Sequence, residues 1–285
     1  MDDRKVSMFE PTFRSLYAFD FERNFNSRDA IQWTVENRKL SVMLAAAYVA
    51  VIFGLKRFMR HREKLSLRLP LALWSGALAA FSIAAALRFI PESLHVIKNH
   101  GWEDSVCVPT VYFGDTGIWA FLFVISKVLE FGDTLFIVLR KQPLIFLHWY
   151  HHSTVLVLSW YMYAYFQAPA RWFGCINALV HSFMYSYYFL RALRVRMPRF
   201  VSVFVTSIQI AQMAFGIYVN LTAKWVLDRG DECHVTYENV IYSLLMYASY
   251  FILFGHFFLT TYTLKPKKSV NGLDHKQLNE HGKVE

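Results

Sequence analysis

Residues 144–166 read LIFLHWYHHSTVLVLSWYMYAYF, an apolar stretch that contains three histidines within five positions. As a helix this stretch would extend about 34 Å, which is enough to cross the hydrocarbon core of a bilayer. Ionisable side chains are costly inside a membrane and commonly mark a functional site. On a helix, His148, His151 and His152 share one face, so their imidazoles can point into one cavity. The stretch therefore predicts a membrane helix that contributes to a functional site.

The composition of the whole chain also indicates a membrane protein. Of the 285 residues, 55% are hydrophobic and only 18% are charged, whereas a soluble domain has about 25% charged residues. The net charge of +9 would fit nucleic acid, but the lysines and arginines cluster beside apolar runs, as topology signals and headgroup contacts do. We expect no nucleic-acid partner. Residues 1–39 lack the apolar core of a signal peptide, so the first span is expected to direct insertion.

Seven apolar stretches have the length of membrane spans. They cover about 40–55, 69–87, 118–139, 144–166, 172–190, 200–225 and 240–264. This pattern predicts an all-α integral membrane protein with seven transmembrane helices. The short loops on the side of the C-terminus are rich in lysine and arginine, which places that side in the cytosol. We therefore expect a lumenal segment over 1–39, a seven-helix membrane domain over 40–264 and a cytosolic polar tail over 265–285.

The three cysteines are too few for a disulfide scaffold or a cysteine-based zinc site. With this topology Cys107 and Cys233 lie in two lumenal loops, where an oxidising compartment permits a disulfide; two unrelated loop cysteines are the alternative. Cys175 lies six residues before His181, about 240° around the helix, and is predicted to pack rather than react. The sequon at Asn220 lies too close to the membrane for glycosylation.

Polar residues of four other spans share one depth with the histidines, so five spans contribute to one layer. At 1.5 Å per residue from the predicted cytosolic ends, they lie about 6–18 Å deep, whereas snorkelling side chains would crowd the span ends. Tyr185 and Tyr188 share the helix face of His181. We predict one buried polar site, with interhelical hydrogen bonding as the alternative. Besides the three histidines and these tyrosines, its members are Lys127, Glu130, Asp133, Asn177, His181, Gln209, Gln212 and His256.

Two chemistries suit such a histidine cluster. Histidines with this spacing can ligate iron or zinc, which would fit a metal-dependent membrane lipid oxidoreductase. A di-iron enzyme would require several more histidine boxes, although a single zinc site stays open. Alternatively, histidine can act as nucleophile or base in acyl transfer. A seven-span receptor is less suitable because the polar layer is cytosolic, and a transporter would usually show paired repeats.

Four segments resemble, in order, the signature boxes of the very-long-chain fatty acid elongases, the 3-ketoacyl-CoA synthases of the endoplasmic reticulum. They are KVLEFGDT at 127–134, HWYHH at 148–152, NALVHSFMYSYY at 177–188 and QIAQM at 209–213. The similarity extends over about 25–264. It implies a seven-helix fold in which helices two to seven form a barrel around an acyl-chain tunnel. It also implies condensation of a long-chain acyl-CoA with malonyl-CoA, with release of CO2 and CoA and without a metal or other cofactor.

The resemblance also implies roles for individual residues. It favours ping-pong catalysis through an acyl-imidazole, with His151 as nucleophile and His181 as base or as partner of the reacting carbonyl. His148 and His152 would orient the site, supported by Glu130 and by Asp133, which we expect to orient an imidazole. Candidate oxyanion stabilisers for the enolate of malonyl-CoA are Asn177, Gln209, Tyr185 and His152.

The expected substrates and partners complete this hypothesis. The second and fourth boxes resemble the branch that elongates palmitate-class saturated and monounsaturated chains. A homodimer and association with the reductases and dehydratase of the elongation cycle are compatible with the resemblance. Location in the endoplasmic reticulum rests on it too, because His281 replaces a lysine of the KxKxx retrieval signal. Candidates for the CoA phosphates, each also explained as a positive-inside flank, are Arg140, Lys141, Arg191, Arg194 and Lys265.

Overall fold

A computed structural model describes residues 13, 15 and 17–263, and every regular element in this part of the chain is a helix. Ten α-helices are present in this part: α1 Asp20–Arg23, α2 Ser27–Glu36, α3 Arg38–Phe58, α4 Arg68–Cys107, α5 Gly117–Leu129, α6 Phe131–Leu139, α7 Phe146–Ala164, α8 Ala170–Ala192, α9 Arg199–Asp228 and α10 Tyr237–Phe258. Short helical turns cover Met59–His61, Thr110–Tyr112, Gly114–Thr116 and Leu259–Thr263. The prediction of an all-α fold is confirmed.

Within the described part of the chain, four helices are long and apolar enough to cross a membrane. They are Arg38–His61, Arg68–Cys107, Arg199–Asp228 and Tyr237–Thr263. Their outer faces expose large apolar side chains such as Met43, Leu73 and Leu245. Such continuous apolar surface would be costly in water and is favourable in lipid. The chain is therefore a multi-pass membrane protein.

Helix α4 extends far beyond residue 87, where the apolar stretch ends. Phe89, Glu92, Ser93 and Val96 are all buried, and their i, i+3, i+4, i+7 spacing places them on one face. This segment is amphipathic and packs against the protein, so its low hydropathy does not end the helix. The backbone kinks at Gly101, where φ is 88°, a conformation that glycine tolerates without steric cost.

The predicted third span is two helices that meet at Glu130. The amide nitrogen of Asp133 donates to the carbonyl oxygen of Glu130 at 3.1 Å, a tight turn between α5 and α6. Lys127 and Glu130 therefore belong to the end of the first helix, and Asp133 to the first turn of the second.

The loops at one end of the helices are tied together around a disulfide between Cys107 and Cys233. The amide of His234 donates to the carbonyl of Cys107, and the carbonyl of His234 accepts from Ala168, both at 2.9 Å. We call this the disulfide end; it contains the C-terminus of α4, the N-terminus of α8 and the α9–α10 loop. The opposite end, where α4 and α7 begin and α6 and α8 end, is called the arginine end below.

A buried ion pair lies at the disulfide end. Arg171 is fully buried, and its guanidinium Nε lies 3.0 Å from an oxygen of Glu92. It also donates to Thr110 and, at 2.6 Å, to the carbonyl of Ser105. The guanidinium thus connects α8 to α4 and to the segment that follows it.

The N-terminal helices α1 and α2 pack against the rest of the protein near this end. Glu22 is fully buried and accepts from Arg88 at 2.7 Å and from Trp119 at 2.5 Å. The indole of Trp160 donates to the carbonyl of Thr34 in α2 at 3.0 Å.

Two predictions about single residues agree with the structure. Cys175 is a free, buried cysteine within the main apolar core. Asn220 is fully buried in α9 and donates to the carbonyl of Gly216 at 2.7 Å, so the sequon is inaccessible in the folded protein. The tail over 265–285 lies outside the described residues.

Candidate active site

A cavity of about 1460 Å³ opens between α4, α6, α7, α8 and α9 at the arginine end. His148, His151 and His152 line it from α7, and His181 lines it from α8. His151 follows the start of α7 by five residues, or about 8 Å along the helix. The structure thus brings the four histidines of two sequence boxes into one cavity, near its mouth.

His151 has no protein hydrogen-bond partner for either ring nitrogen among residues 17–263. Its backbone carbonyl accepts from the hydroxyl of Tyr250 at 3.2 Å, and the centroids of the two rings lie 4.9 Å apart. The ring is therefore positioned by packing, while its nitrogens stay available to a ligand in the cavity.

His148 and His152 lie beside this ring and differ in their contacts. His148 Nε2 lies 2.9 Å from the hydroxyl oxygen of Thr134. His152 is buried, and its Nδ1 has no partner in the described structure. The ring centroids of His148 and His152 lie 4.5 Å apart. A donor or acceptor from a bound ligand could satisfy Nδ1 of His152.

His181 has a hydrogen-bond partner at Nε2, whereas Nδ1 faces a carboxylate beyond hydrogen-bond distance. Asn177 lies between it and the buried Lys127: the Asn177 carbonyl accepts from Lys127 Nζ at 2.8 Å, and its amide nitrogen lies 3.2 Å from His181 Nε2. Because an ammonium group can only donate, the amide orientation is fixed and Nε2 accepts. The ring proton then resides on Nδ1, which lies 3.8 Å from Glu130 Oε1.

Lys127 and Glu130 form a buried ion pair beside Asn177 and His181. Their side chains are almost fully buried and lie 2.7 Å apart. A buried charge requires such a partner. The ion pairing expected from their spacing is therefore present, and Asn177 connects it to His181.

Asp133 does not contact an imidazole, in contrast to the expectation. Its carboxylate oxygens accept from the indole of Trp74 at 2.8 Å and from the hydroxyl of Tyr185 at 2.7 Å. Asp133 itself lines the cavity together with the histidines. The rings of Tyr185 and His181 lie edge to face with centroids 5.3 Å apart, so Tyr185 connects Asp133 to a histidine.

The remaining polar candidates divide into two groups. Tyr188, Gln209 and Gln212 line the cavity, and Gln209 donates to the sulfur of Met184 at 3.2 Å. His256 is exposed on the outer surface, so its assignment to the site is wrong. The residues of α10 that line the cavity are Phe254 and Phe257. Position along a span does not determine the helix face, and His256 shows this because its side chain is exposed.

The cavity mouth has a rim of five arginines, which we call the arginine rim: Arg68, Arg140, Arg191, Arg194 and Arg196. None of their side chains has a hydrogen-bond or ion-pair partner within the described part of the chain. Lys141 does not line the cavity, and its ammonium group donates to the carbonyl of Arg60 at 3.4 Å. Its assignment to the rim is wrong, and Lys265 lies outside the described residues.

Sequence reasoning missed several contributors to the site. Arg68 and Arg196 line the cavity mouth, although in the sequence they are two basic residues among many in the loops between spans. Thr134 ends the first signature box, yet it carried no predicted role. Tyr48 belongs to the first long helix and could be found only from the three-dimensional packing.

A second, small cavity of about 40 Å³ lies toward the disulfide end. On α7 it is lined by Ser159, eight residues beyond His151 or about 12 Å along the helix. On α8 it is lined by Gly174, seven residues before His181. Its walls are almost entirely apolar and comprise Phe89, Val111, Tyr112, Ala120, Phe123, Val124, Ser159, Met162, Tyr163, Ala170, Phe173 and Gly174.

Within residues 13, 15 and 17–263, no group of three or more His, Cys, Asp or Glu side chains is arranged to hold a metal ion.

Comparison with known proteins assigns the family. Residues 33–270 match the family described as ELO: GNS1/SUR4 family. The chain belongs to the ELO family. "Very long chain fatty acid elongase 6" of Homo sapiens is 47% identical over 257 residues, which cover 90% of this chain and 96% of the relative. The protein of the same name from Drosophila melanogaster is 47% identical over 250 residues, covering 86% of this chain and 79% of the relative.

"Very long chain fatty acid elongase 3" of Homo sapiens is 41% identical over 243 residues, covering 85% of this chain and 89% of the relative. The resemblance of the four boxes to the elongases is thereby confirmed. In this ELO family member, residues of all four boxes line the large cavity.

Proposed function

We propose that this protein is the condensing enzyme of fatty acid elongation. It would join a long-chain acyl-CoA to malonyl-CoA and produce 3-ketoacyl-CoA, CO2 and CoA. The observation that carries the proposal is the placement of four histidines in one cavity between an unpaired arginine rim and an apolar second cavity. The names of its relatives, very long chain fatty acid elongases, support the same activity.

The proposed membrane topology has seven spans. They are α3, α4, the α5–α6 pair, α7, α8, α9 and α10, with helices two to seven as a barrel around an acyl-chain tunnel. The arginine end would face the cytosol, in accord with the positive-inside rule, and the disulfide end would face the oxidising lumen of the endoplasmic reticulum. The N-terminus would then be lumenal and the C-terminus cytosolic.

The two ends of the site suit the two ends of acyl-CoA. The arginine rim would bind the CoA phosphates, because guanidinium groups form charge-assisted, bidentate hydrogen bonds with phosphate. The pantetheine arm would bring the thioester to the histidines. The apolar cavity near Gly174 and Ser159 would receive the far part of an acyl chain of the palmitate class.

His151 is the proposed nucleophile because its ring nitrogens have no partner in the described part of the chain, whereas Nε2 of His181 accepts from Asn177. A nitrogen of His151 attacks the thioester carbonyl, and the carbon–sulfur bond breaks. The leaving thiolate takes the proton from the other ring nitrogen, which leaves an acyl-imidazole and free CoA. No metal or other cofactor is needed for this half-reaction.

Malonyl-CoA then loses CO2 to form an enolate. The enolate carbon attacks the acyl-imidazole, the carbon–nitrogen bond breaks, and the imidazole recovers a proton from solvent. His181 would support the reacting carbonyl through its Nδ1–H, since its Nε2 is occupied. His148 would orient the site.

The contacts also favour some oxyanion stabilisers over others. The hydroxyl proton of Tyr185 is donated to Asp133, which makes Tyr185 a poor candidate. Gln209 donates only to a sulfur atom, a weak acceptor, and Nδ1 of His152 has no partner in the described structure. Gln209 and His152 are therefore our preferred candidates.

A homodimer and association with the reductases and dehydratase of the elongation cycle stay predictions.

The decisive experiment is incubation of the purified protein with palmitoyl-CoA alone. We expect release of CoA and a covalent acyl adduct on His151, detected by mass spectrometry and absent from His151→Ala. His256→Ala is the control, because that histidine faces outward and should leave the adduct intact. Release of CoA only after malonyl-CoA is added would contradict the ping-pong order. Absence of 3-ketoacyl-CoA with both substrates would contradict the condensing function itself.

A further inference from the structure

Two hydrogen bonds connect α3 to the histidine box. The hydroxyl oxygen of Tyr48 lies 2.7 Å from the hydroxyl oxygen of Thr134. The same threonine oxygen lies 2.9 Å from Nε2 of His148. Tyr48 is 6% exposed and Thr134 is fully buried, so the link is enclosed by protein.

Packing around Tyr48 fixes where its hydroxyl points. Its ring stacks on Phe131 of α6, with centroids 4.0 Å apart and planes 13° from parallel. One and a half turns further along α3, the ring of Phe53 packs edge to face against Trp149 of α7, at 5.6 Å. Helix α3 therefore lies against both α6 and α7. It is the first of the seven proposed spans, so it would lie outside a tunnel enclosed by helices two to seven and yet reach the histidine box.

The chemistry of the three groups gives the link a direction. The hydroxyl of Thr134 has a single proton and lies between a phenol and an imidazole nitrogen. The phenol is the better donor and the imidazole nitrogen the better acceptor. Tyr48 therefore donates to Thr134, and Thr134 donates to Nε2 of His148. Each bond polarises the next in the same sense, and the ring proton of His148 is left on Nδ1.

We propose that Tyr48 is a positioning residue for the condensing reaction, which fixes the tautomer and ring orientation of His148 through Thr134. The inference rests on the proposed function, since the orientation matters only if the histidine box performs acyl transfer. On α7, His148 is the neighbour of His151 and His152, and its ring packs against that of His152. A His148 ring free to rotate would present a different nitrogen to the cavity.

The test compares Tyr48→Phe, Thr134→Val and Thr134→Ser with Tyr247→Phe. Tyr247 is a matched control because it is also 6% exposed, lies in α10 and has no hydrogen-bond partner among residues 17–263. We expect Tyr48→Phe and Thr134→Val to lower kcat about 3- to 10-fold, the range for loss of one hydrogen bond. KM for palmitoyl-CoA should stay unchanged, and Thr134→Ser should retain activity because it keeps the hydroxyl.

A spectroscopic measurement separates this inference from the proposed function. The ¹⁵N resonances of the His148 ring should show an accepting Nε2 and a protonated Nδ1 in the wild type, and a mixture of tautomers in Tyr48→Phe and Thr134→Val. If Tyr48→Phe matches Tyr247→Phe in both kcat and ¹⁵N shifts, the inference is overturned. If the wild type shows the single tautomer but no condensation, the link stands and the proposed function is overturned. Should Tyr48→Phe fail to fold, the pair Thr134→Val and Thr134→Ser provides the same comparison.

Discussion

The side-chain amide nitrogen of Asn177 lies 3.2 Å from Nε2 of His181, one helical turn away. The other side of the same amide accepts from the buried ammonium group of Lys127. One asparagine thus satisfies a buried cation and determines which nitrogen of His181 carries the proton. This double contact makes stability and catalysis separable by substitution.

Asn177→Asp should fold but lose turnover. A carboxylate keeps an acceptor for Lys127, but it also requires a donor at Nε2 of His181 and so reverses the tautomer of that ring. Asn177→Leu should lose both properties, because it leaves Lys127 with one acceptor fewer, at a cost of about 1–3 kcal/mol. Thermal unfolding in detergent and steady-state turnover would be measured for both variants. Wild-type turnover in Asn177→Asp would show that the tautomer of His181 is unimportant.

Asp133→Asn should lower turnover only as far as Tyr185→Phe does. Asp133 accepts from the hydroxyl of Tyr185, whose ring packs against His181, so both variants change the same hydrogen bond. In Asp133→Asn, the amide oxygen can still accept from Trp74 and the amide NH2 can donate to the Tyr185 hydroxyl oxygen, so the variant loses charge-assisted hydrogen bonds, at a cost of about 1–3 kcal/mol of stability. The double variant should cost less than the sum of the two single changes, as expected for partners in contact. A much lower kcat in Asp133→Asn than in Tyr185→Phe would instead indicate a direct role at the histidines or the substrate.

Gly132→Ala should disturb the hydrogen bond between the indole of Trp74 and Asp133. A Cβ at this position would lie 2.4 Å from the indole of Trp74, so the indole must move away from Asp133. We expect lower thermal stability and lower turnover, with recovery of stability in the double variant with Trp74→Phe. Gly54→Ala is the control, because its Cβ would meet no atom within 4 Å and alanine is the better helix former. Equal losses in the two alanine variants would contradict the close contact between Gly132 and Trp74.

The sequence predicted the parts of the site that depend on local spacing. His148, His151 and His152 share a cavity because i, i+3, i+4 positions share a helix face, and Lys127 pairs with Glu130 for the same reason. The grouping of polar residues from several spans into one site was predicted from their distance, in residues, to the ends of the apolar stretches. These inferences required no knowledge of which helices pack together.

Other features depend on packing between helices and could not be predicted in this way. Tyr48 reaches the histidine box only because α3 lies against α6 and α7. His256 has the right depth but the wrong face, since its orientation depends on how α10 is rotated. Asp133 binds Trp74 and Tyr185 instead of an imidazole because α4 and α8 bring these two side chains within hydrogen-bond distance, and a hydropathy profile does not show how helices pack.

Arg140 and Lys141 provide a matched test of the arginine rim. They are adjacent in sequence and carry the same charge, but Arg140 lines the cavity and has no protein partner in the described part of the chain, whereas Lys141 contacts Arg60 outside it. Arg140→Gln should raise KM for both palmitoyl-CoA and malonyl-CoA about tenfold while kcat at saturation stays unchanged. A phosphate contact remote from the reacting carbon contributes equally to substrate and transition-state binding, so its loss appears in KM alone. The dependence of KM on salt should weaken in the same variant, since one screened charge interaction is gone. Lys141→Gln should behave as the wild type; an equal rise in KM would mean that the whole positive surface, rather than the cavity rim, attracts CoA.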